Sequence, residues 1–199
     1  MNTLIVFTHP SEESLNRSFL NSTLEGLRSN PHIKNIDVLD LYRENFNPAL
    51  IFNSEIKRRD MHKDPELELY RQKITQADTV IFIYPIWWGR PPAMLMGFID
   101  RMMASGFAFK QEKGHIMPEG LLKGKKVICV STMKGPTGYT ALLLNNAHKT
   151  LMRKAVFNFV GIKDIHFFEF GFMEKSGGRQ GKNLEKVKNY MTKLKSAAA

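Results

Sequence analysis

The stretch Tyr84-Pro85-Ile86-Trp87-Trp88-Gly89-Arg90-Pro91-Pro92 follows the most apolar run of the chain, Thr79 to Tyr84. The β-branched and aromatic run is typical of a central strand of a parallel sheet, buried on both faces. Since proline cannot continue a hydrogen-bond ladder, we expect the strand to end near Tyr84 and a stiff loop to follow. Both tryptophans of the protein lie in that loop. There they would suit a flat ligand; the alternative is that one caps a helix and the other packs beneath the loop.

Five apolar runs alternate with helical patterns along the chain. The strands are predicted at Asn2 to Phe7, Ile36 to Leu41, Thr79 to Tyr84, Val127 to Ser131 and Asp164 to Phe170. The helices are predicted at Ser14 to Ser29, Asp64 to about Ala77, Ala93 to Met103, Ala141 to Val160 and roughly Gly181 to Lys195. This alternation is typical of an α/β fold with a five-stranded parallel sheet, order 2-1-3-4-5, and helices on both faces. We expect one domain, residues 1–199, with residues 197–199 frayed.

Composition narrows the function classes. The chain has 199 residues, a formal net charge of +10 and a single cysteine, Cys129, inside an apolar run. No disulfide or cysteine-based metal site can be built from it, and neither a signal peptide nor a bilayer-spanning run is visible. We therefore expect a cytoplasmic protein without membrane insertion. The positive charge suits small polyanions, and because no nucleic-acid motif accompanies it, no nucleic-acid partner is expected.

Three loops follow the first, third and fourth predicted strands, so they meet at one edge of the sheet, where a flavin phosphate would sit. The first, Thr8 to Asn16, leads into a helix N-terminus, which is a natural phosphate site. Ser14 and Asn16 can add hydrogen bonds, and His9 can contact the anion. Neither a GxGxxG nor a Walker sequence is present. The alternative is that Ser11 or Ser14 only caps the helix.

The second and third loops could hold a flavin ring. Backbone N–H groups at Ile86 to Gly89 and two aromatic faces would meet its polar and apolar edges. The third loop, Ser131 to Tyr139, offers hydroxyls and amides to the opposite edge. The Tyr139 phenol could hydrogen-bond the flavin or a bound carbonyl oxygen, although an ordinary half-buried tyrosine fits the sequence equally well.

The whole pattern resembles the flavodoxin-like NAD(P)H:quinone oxidoreductases of the DT-diaphorase type, including their shorter bacterial relatives. The resemblance covers nearly the whole chain, in order and at compatible spacing. The segments that carry it are His9 to Asn16, Asp40 to Tyr42, Asn45 to Pro48, Ala77 to Phe82, Tyr84 to Trp88, Pro92 to Arg101, Gly106 to Phe109, Gly120 to Lys125, Ser131-Thr132 and Tyr139.

The resemblance implies a set of cofactor contacts and one catalytic residue, Tyr139. The flavin phosphate and ribityl chain would be lined by His9, Ser14, Leu15 and Asn16. The ring would be held by Pro85, Ile86, Trp87 and Trp88, and its other edge closed by Ser131, Thr132, Met133, Lys134 and Gly135. It also implies a homodimer, and FMN rather than FAD because the long C-terminal extension is absent.

The chain departs from the family pattern at the third loop. The expected Thr-Thr-Gly-Gly run reads Ser131-Thr132-Met133-Lys134, and the histidine that partners the tyrosine falls on Asn145. His148, one helical turn on, is a speculative substitute.

The expected function is flavin-dependent, two-electron, ping-pong transfer of hydride from NAD(P)H to quinones or similar acceptors in one shared pocket. Two alternatives stay open: a regulatory subunit of an ion-transport system with weak turnover, and a one-electron flavodoxin carrier. The net charge of +10 argues against the carrier, since such carriers are typically acidic.

Overall fold

The computed structural model describes residues 1–54, 57–173 and 178–195. The strands are β1 (Asn2–Phe7), β2 (Asn35–Asp40), β3 (Thr79–Pro85), β4 (Phe109–Lys110), β5 (Glu119–Gly120), β6 (Lys126–Thr132) and β7 (Asp164–Phe170). The α-helices are α1 (Leu15–Arg28), α2 (Glu68–Gln76), α3 (Ala93–Met102), α4 (Thr137–Leu142), α5 (Ala147–Thr150) and α6 (Gly178–Thr192). Two 3-10 turns, Arg58–Lys63 and Pro65–Leu67, precede α2, and a π-helical turn, Leu151–Phe157, continues α5.

Five parallel strands form the main sheet in the order β2-β1-β3-β6-β7. With the short β4–β5 hairpin set aside, this is the predicted 2-1-3-4-5 order, which is therefore confirmed. All seven residues of β3 are buried, because the strand pairs with β1 on one side and β6 on the other and is covered on both faces. The apolar run from Thr79 to Tyr84 thus forms the central strand, as predicted.

Side chains of the sheet alternate between two cores, as the strand repeat of two requires. Leu4 and Val6 of β1 enter the core beneath α2, α3 and α5. Ile5 and Phe7 enter the core beneath α1 and α6. Each face of the sheet is therefore sealed by helices, and only the loops at its ends are left for a ligand. Within the described residues, no helix combines the length and apolarity needed to cross a membrane.

Two regions differ from the sequence prediction. The connection from Ser105 to Lys126 contains the β4–β5 hairpin, which was not predicted. The prediction of one largely helical segment from Ala141 to Val160 is wrong, because Asn145 and Asn146 adopt left-handed φ angles of 47° and 55° and break it. Asparagine tolerates this conformation better than most residues. The predicted fraying of residues 197–199 falls outside the described residues.

Helices α1 and α6 pack closely because glycine occupies their contact. A Cβ added at Gly26 of α1 would overlap the Lys188 carbonyl oxygen and lie 2.8 Å from the Met191 Cβ. The same addition at Gly181 of α6 would meet nothing within 4 Å. Glycine is needed at the first position and not at the second.

We therefore predict opposite effects for two identical substitutions. Gly26→Ala lowers the free energy of unfolding by about 1–3 kcal/mol because it overpacks the helix contact. Gly181→Ala raises it by about 0.5–1 kcal/mol because alanine is the better helix former. Urea denaturation of both variants measures the difference, and equal effects would contradict the packing argument.

Candidate functional site

The three predicted loops meet at the carboxyl edge of the sheet, and Thr132 joins them. Its hydroxyl accepts a hydrogen bond from Asn16 Nδ2 at 3.0 Å, which ties the first loop to the third. Its carbonyl oxygen accepts one from the Ile86 amide at 2.7 Å, which ties the second loop to the third. The rings of His9 and Trp87 lie 6.3 Å apart, so the first and second loops are neighbours as well.

The first loop ends in the capped N-terminus of α1. Ser14 has extended backbone angles, and its hydroxyl accepts a hydrogen bond from the Arg17 amide at 3.2 Å. The prediction that Ser14 caps the helix is thus confirmed. The first amides of a helix have no partner within it, so an anion can still bind there. The His9 ring accepts from the Ser11 amide at 3.1 Å and shapes the loop, while Leu15 packs on the core beneath α1.

Two buried polar atoms beside this helix tip have no partner among the residues described. They are the Thr8 hydroxyl oxygen and Asn16 Oδ1. Both side chains are shielded almost completely from solvent. Leaving such a group unpaired costs about 1–3 kcal/mol. A ligand that brings hydroxyl groups to this point would satisfy both atoms, so these residues fit a ribityl chain.

The second loop reverses in a tight turn at Trp88 and Gly89. Trp87 and Arg90 exchange backbone hydrogen bonds of 3.0 and 3.1 Å, and the two residues between them have φ angles of 53° and 72°. Positive φ at both central residues is what a type I′ turn requires. Asn, Asp and Gly are the usual residues there, so tryptophan at the first position carries strain.

This turn puts both tryptophans on the surface. Trp87 is 41% exposed and Trp88 95% exposed. The alternative that they serve as a helix cap and as packing beneath the loop is therefore wrong. The prediction that four successive amides of this loop are available is also wrong in part, because those of Ile86 and Trp87 are bonded to Thr132 and Arg90. Trp88 and Gly89 are left to offer amides.

An open pocket of about 470 Å³ lies between the second and third loops. One wall comes from the Trp88 turn and the other from the segment that leads into α4. Its lining residues are Ile86, Trp88, Gly89, Met133, Lys134, Gly135, Pro136, Tyr139, Thr140 and Leu144. The pocket is mostly apolar, with a lysine and a phenol, and suits a flat ring with a polar edge.

The predicted residues of the third loop divide between the sheet and the pocket. Ser131 and Thr132 belong to β6, and the Ser131 hydroxyl donates to the Phe168 carbonyl oxygen at 3.2 Å, so that side chain serves the sheet. The Met133 amide donates to the Phe170 carbonyl oxygen at 2.8 Å. Lys134 is exposed on the pocket rim, next to Gly135.

Tyr139 is 50% exposed on α4 and lines the pocket, whereas His148 is buried below it. Both ring nitrogens of His148 are engaged: Nε2 lies 2.7 Å from the Tyr84 hydroxyl and Nδ1 lies 3.2 Å from Glu169 Oε2. The hypothesis that His148 replaces the family histidine as partner of Tyr139 is therefore wrong.

Sequence reasoning missed Thr8 and Thr140 at this site, and it missed the cluster around His148. Thr8 follows the last residue of a predicted strand, and that position was a usable signal. Glu169 alternates within a strand pattern like any other polar residue, so the sequence carries no signal for its partners.

A family model described as "Flavodoxin-like fold" matches residues 1–194. An uncharacterized NAD(P)H oxidoreductase of Haemophilus influenzae is 33% identical over 174 residues, which are 86% of this chain and 84% of that protein. The crystal structure of Smu.1420 from Streptococcus mutans UA159 has a TM-score of 0.89 at 34% identity and covers 98% of this chain and 100% of its own. An NAD(P)H:quinone oxidoreductase from Methanothermobacter marburgensis has a TM-score of 0.84 at 26% identity, covering 98% of this chain and 99% of its own.

The strained turn generates a prediction about stability. Trp88→Asn raises the free energy of unfolding by about 0.5–1 kcal/mol, because asparagine accepts a positive φ more readily and the exposed indole buries little. Trp88→Phe keeps the strain and serves as the control with no gain. Thermal unfolding of both variants measures the effect, and a less stable Trp88→Asn protein would mean that the indole packs on the protein after all.

Proposed function

We propose that this chain, which belongs to the family with the flavodoxin-like fold, is a flavin-dependent NAD(P)H oxidoreductase that delivers two electrons to quinones or similar acceptors. The observation that carries the proposal is the junction at Thr132, which gathers three loops around one open pocket. Relatives named as NAD(P)H oxidoreductase and NAD(P)H:quinone oxidoreductase support it. Neither name favours the ion-transport alternative.

The residues at the sheet edge fit a flavin, and we propose FMN. The N-terminus of α1 would hold the phosphate, because its first amides and its dipole favour an anion. Thr8 and Asn16 would bond the ribityl hydroxyls and so lose their unpaired atoms. Trp87, Trp88 and Gly89 would border the ring. A bound flavin supplies the centre that accepts and returns a hydride.

The pocket would take the two substrates in turn, since one cavity of about 470 Å³ adjoins the proposed ring site. Tyr139 would donate a hydrogen bond to a carbonyl oxygen of the acceptor. The Lys134 ammonium group and the net charge of +10 would attract the phosphates of NAD(P)H. We also propose a cytoplasmic location, because the electron donor would be a diffusible pyridine nucleotide.

A homodimer is the second part of the proposal. An apolar groove of about 610 Å³ runs between the segment after β2 and helix α3, with Leu50, Ile99, Met103, Phe109 and Phe159 in its walls. Leu50, Ile51 and Phe52 stand exposed beside it. Apolar patches of this kind on a single copy favour an interface, and the resemblance to dimeric oxidoreductases favours a second copy of this chain as the partner.

Purified protein tests the function directly. We expect it to be yellow or to take up added FMN, and to oxidise NAD(P)H in the presence of menadione. Asn16→Leu should weaken FMN binding by about tenfold or more, because it removes a buried bond to Thr132 and a buried acceptor at the ribityl site. Quenching of flavin fluorescence on binding measures the dissociation constant.

Asn21→Leu is the matched control, since this exposed asparagine lies on the same helix. It should bind FMN like the parent protein. A colourless protein that neither takes up FMN or FAD nor oxidises NAD(P)H would refute the proposed function.

Sedimentation equilibrium tests the dimer. We expect twice the chain mass for the parent protein and the chain mass for Ile51→Asp, because a carboxylate would be buried unpaired in the interface. Ile116→Asp, on the loop between β4 and β5, should stay dimeric. A monomeric parent protein, or two variants that dissociate alike, would contradict the proposed interface.

A further inference from the structure

A chain of buried polar groups lies beneath the pocket and involves three elements besides α4. Glu169, near the end of β7, has a side chain only 5% exposed. Its Oε2 lies 3.2 Å from His148 Nδ1 of α5, and its Oε1 accepts a hydrogen bond from the Thr140 hydroxyl of α4 at 2.9 Å. His148 Nε2 in turn lies 2.7 Å from the hydroxyl of Tyr84, in β3.

The direction of these hydrogen bonds follows from the environment of Tyr84. Burial, more than any neighbouring group, raises the pKa of Tyr84 well above its usual value, so its proton stays in place. With His148 in the tautomer that carries its proton on Nδ1, Tyr84 donates to Nε2 and Nδ1 donates to Glu169. Every link then has one donor and one acceptor.

Glu169 ends this chain as a carboxylate. Burial raises its pKa, but hydrogen bonds from His148 and Thr140 and the charge of Lys149 together hold it below its ordinary value. The Lys149 ammonium group lies 3.7 Å from Oε1. Hydrogen bonds to a carboxylate are stronger than those between neutral groups, so the bond from Thr140 is a firm one.

Helix α4 depends on that bond because it has little other anchorage. Thr140 is its one buried residue, while Tyr139 and Leu142 point to solvent at 50% and 80% exposure. The helix is short, and the left-handed pair Asn145 and Asn146 separates it from α5. Thr140 is also adjacent in sequence to Tyr139, so whatever holds the one places the other.

We propose that Glu169, oriented by His148 and Tyr84, is a positioning residue that fixes helix α4 and with it Tyr139 at the wall of the pocket. The same chain links the two sides of the pocket, because Tyr84 directly precedes the loop with the two tryptophans. The catalytic consequence rests on the proposed function, whereas the anchoring of α4 does not.

Hydrogen–deuterium exchange, followed by mass spectrometry of peptides that cover residues 133–146, tests the anchor in the protein without added flavin. Glu169→Gln and Thr140→Val should speed exchange of the α4 amides by roughly tenfold, as loss of a bond to a charged group implies. Peptides from β1 and β3 should exchange as in the parent protein. Thr140→Ser keeps the hydroxyl and should restore protection.

Control variants separate this anchor from a contact within α4 and from a general effect of lost negative charge. The Thr140 hydroxyl also lies 2.8 Å from the Thr137 carbonyl oxygen, so Glu169→Gln, which leaves that contact intact, must act like Thr140→Val. Glu185→Gln, which removes an exposed carboxylate of α6, should change nothing. Should either main variant fail to fold, Tyr84→Phe, which loses one hydroxyl and keeps its ring, must still speed α4 exchange.

Kinetics provide the second readout. In Glu169→Gln, KM for the quinone should rise by roughly tenfold while the dissociation constant of FMN stays within about twofold, because Tyr139 and not the flavin site is displaced. Unchanged α4 protection in Glu169→Gln and Tyr84→Phe would overturn the inference. A parent protein without NAD(P)H oxidation would refute the proposed function alone, since the exchange result stands without it.

Discussion

The double hydrogen bond at Thr132 is the contact on which the site depends. One residue at the end of β6 accepts from Asn16 through its hydroxyl and from Ile86 through its carbonyl. Both bonds are buried, where an unmade bond is costly. They can form only if β1, β3 and β6 end at the same level, so the register of the parallel sheet sets the spacing of the three loops.

Much of the framework could be predicted from the sequence because burial leaves a strong pattern. The β3 run reads as central since every residue in it faces a core. The convergence of the three loops then follows from the topology. The break at Asn145 and Asn146 could not be predicted, because flanking apolar residues suit a helix and the left-handed turn is stabilised by tertiary contacts.

The polar chain below the pocket illustrates a second limit. Tyr84, His148 and Glu169 lie far apart in sequence and meet only when β3, α5 and β7 are assembled. Taken singly, each reads as an ordinary core or strand residue. At Trp88, by contrast, the residue type was informative and the local geometry was not, since a bulky side chain at positive φ contradicts propensity. Such conflicts between local preference and final structure concentrate at functional sites.

The strand order also bears on biosynthesis. Although β1 leaves the ribosome first, its partner β3 is made much later, and the helix that seals the face carrying Ile5, Phe7, Ile81 and Ile83 is α6, the last element of all. Pairing between distant segments is slow, and unsealed apolar faces aggregate. The nascent chain must therefore keep half of its sheet uncovered until translation is almost finished, which makes it a natural client for chaperones that shield apolar surface.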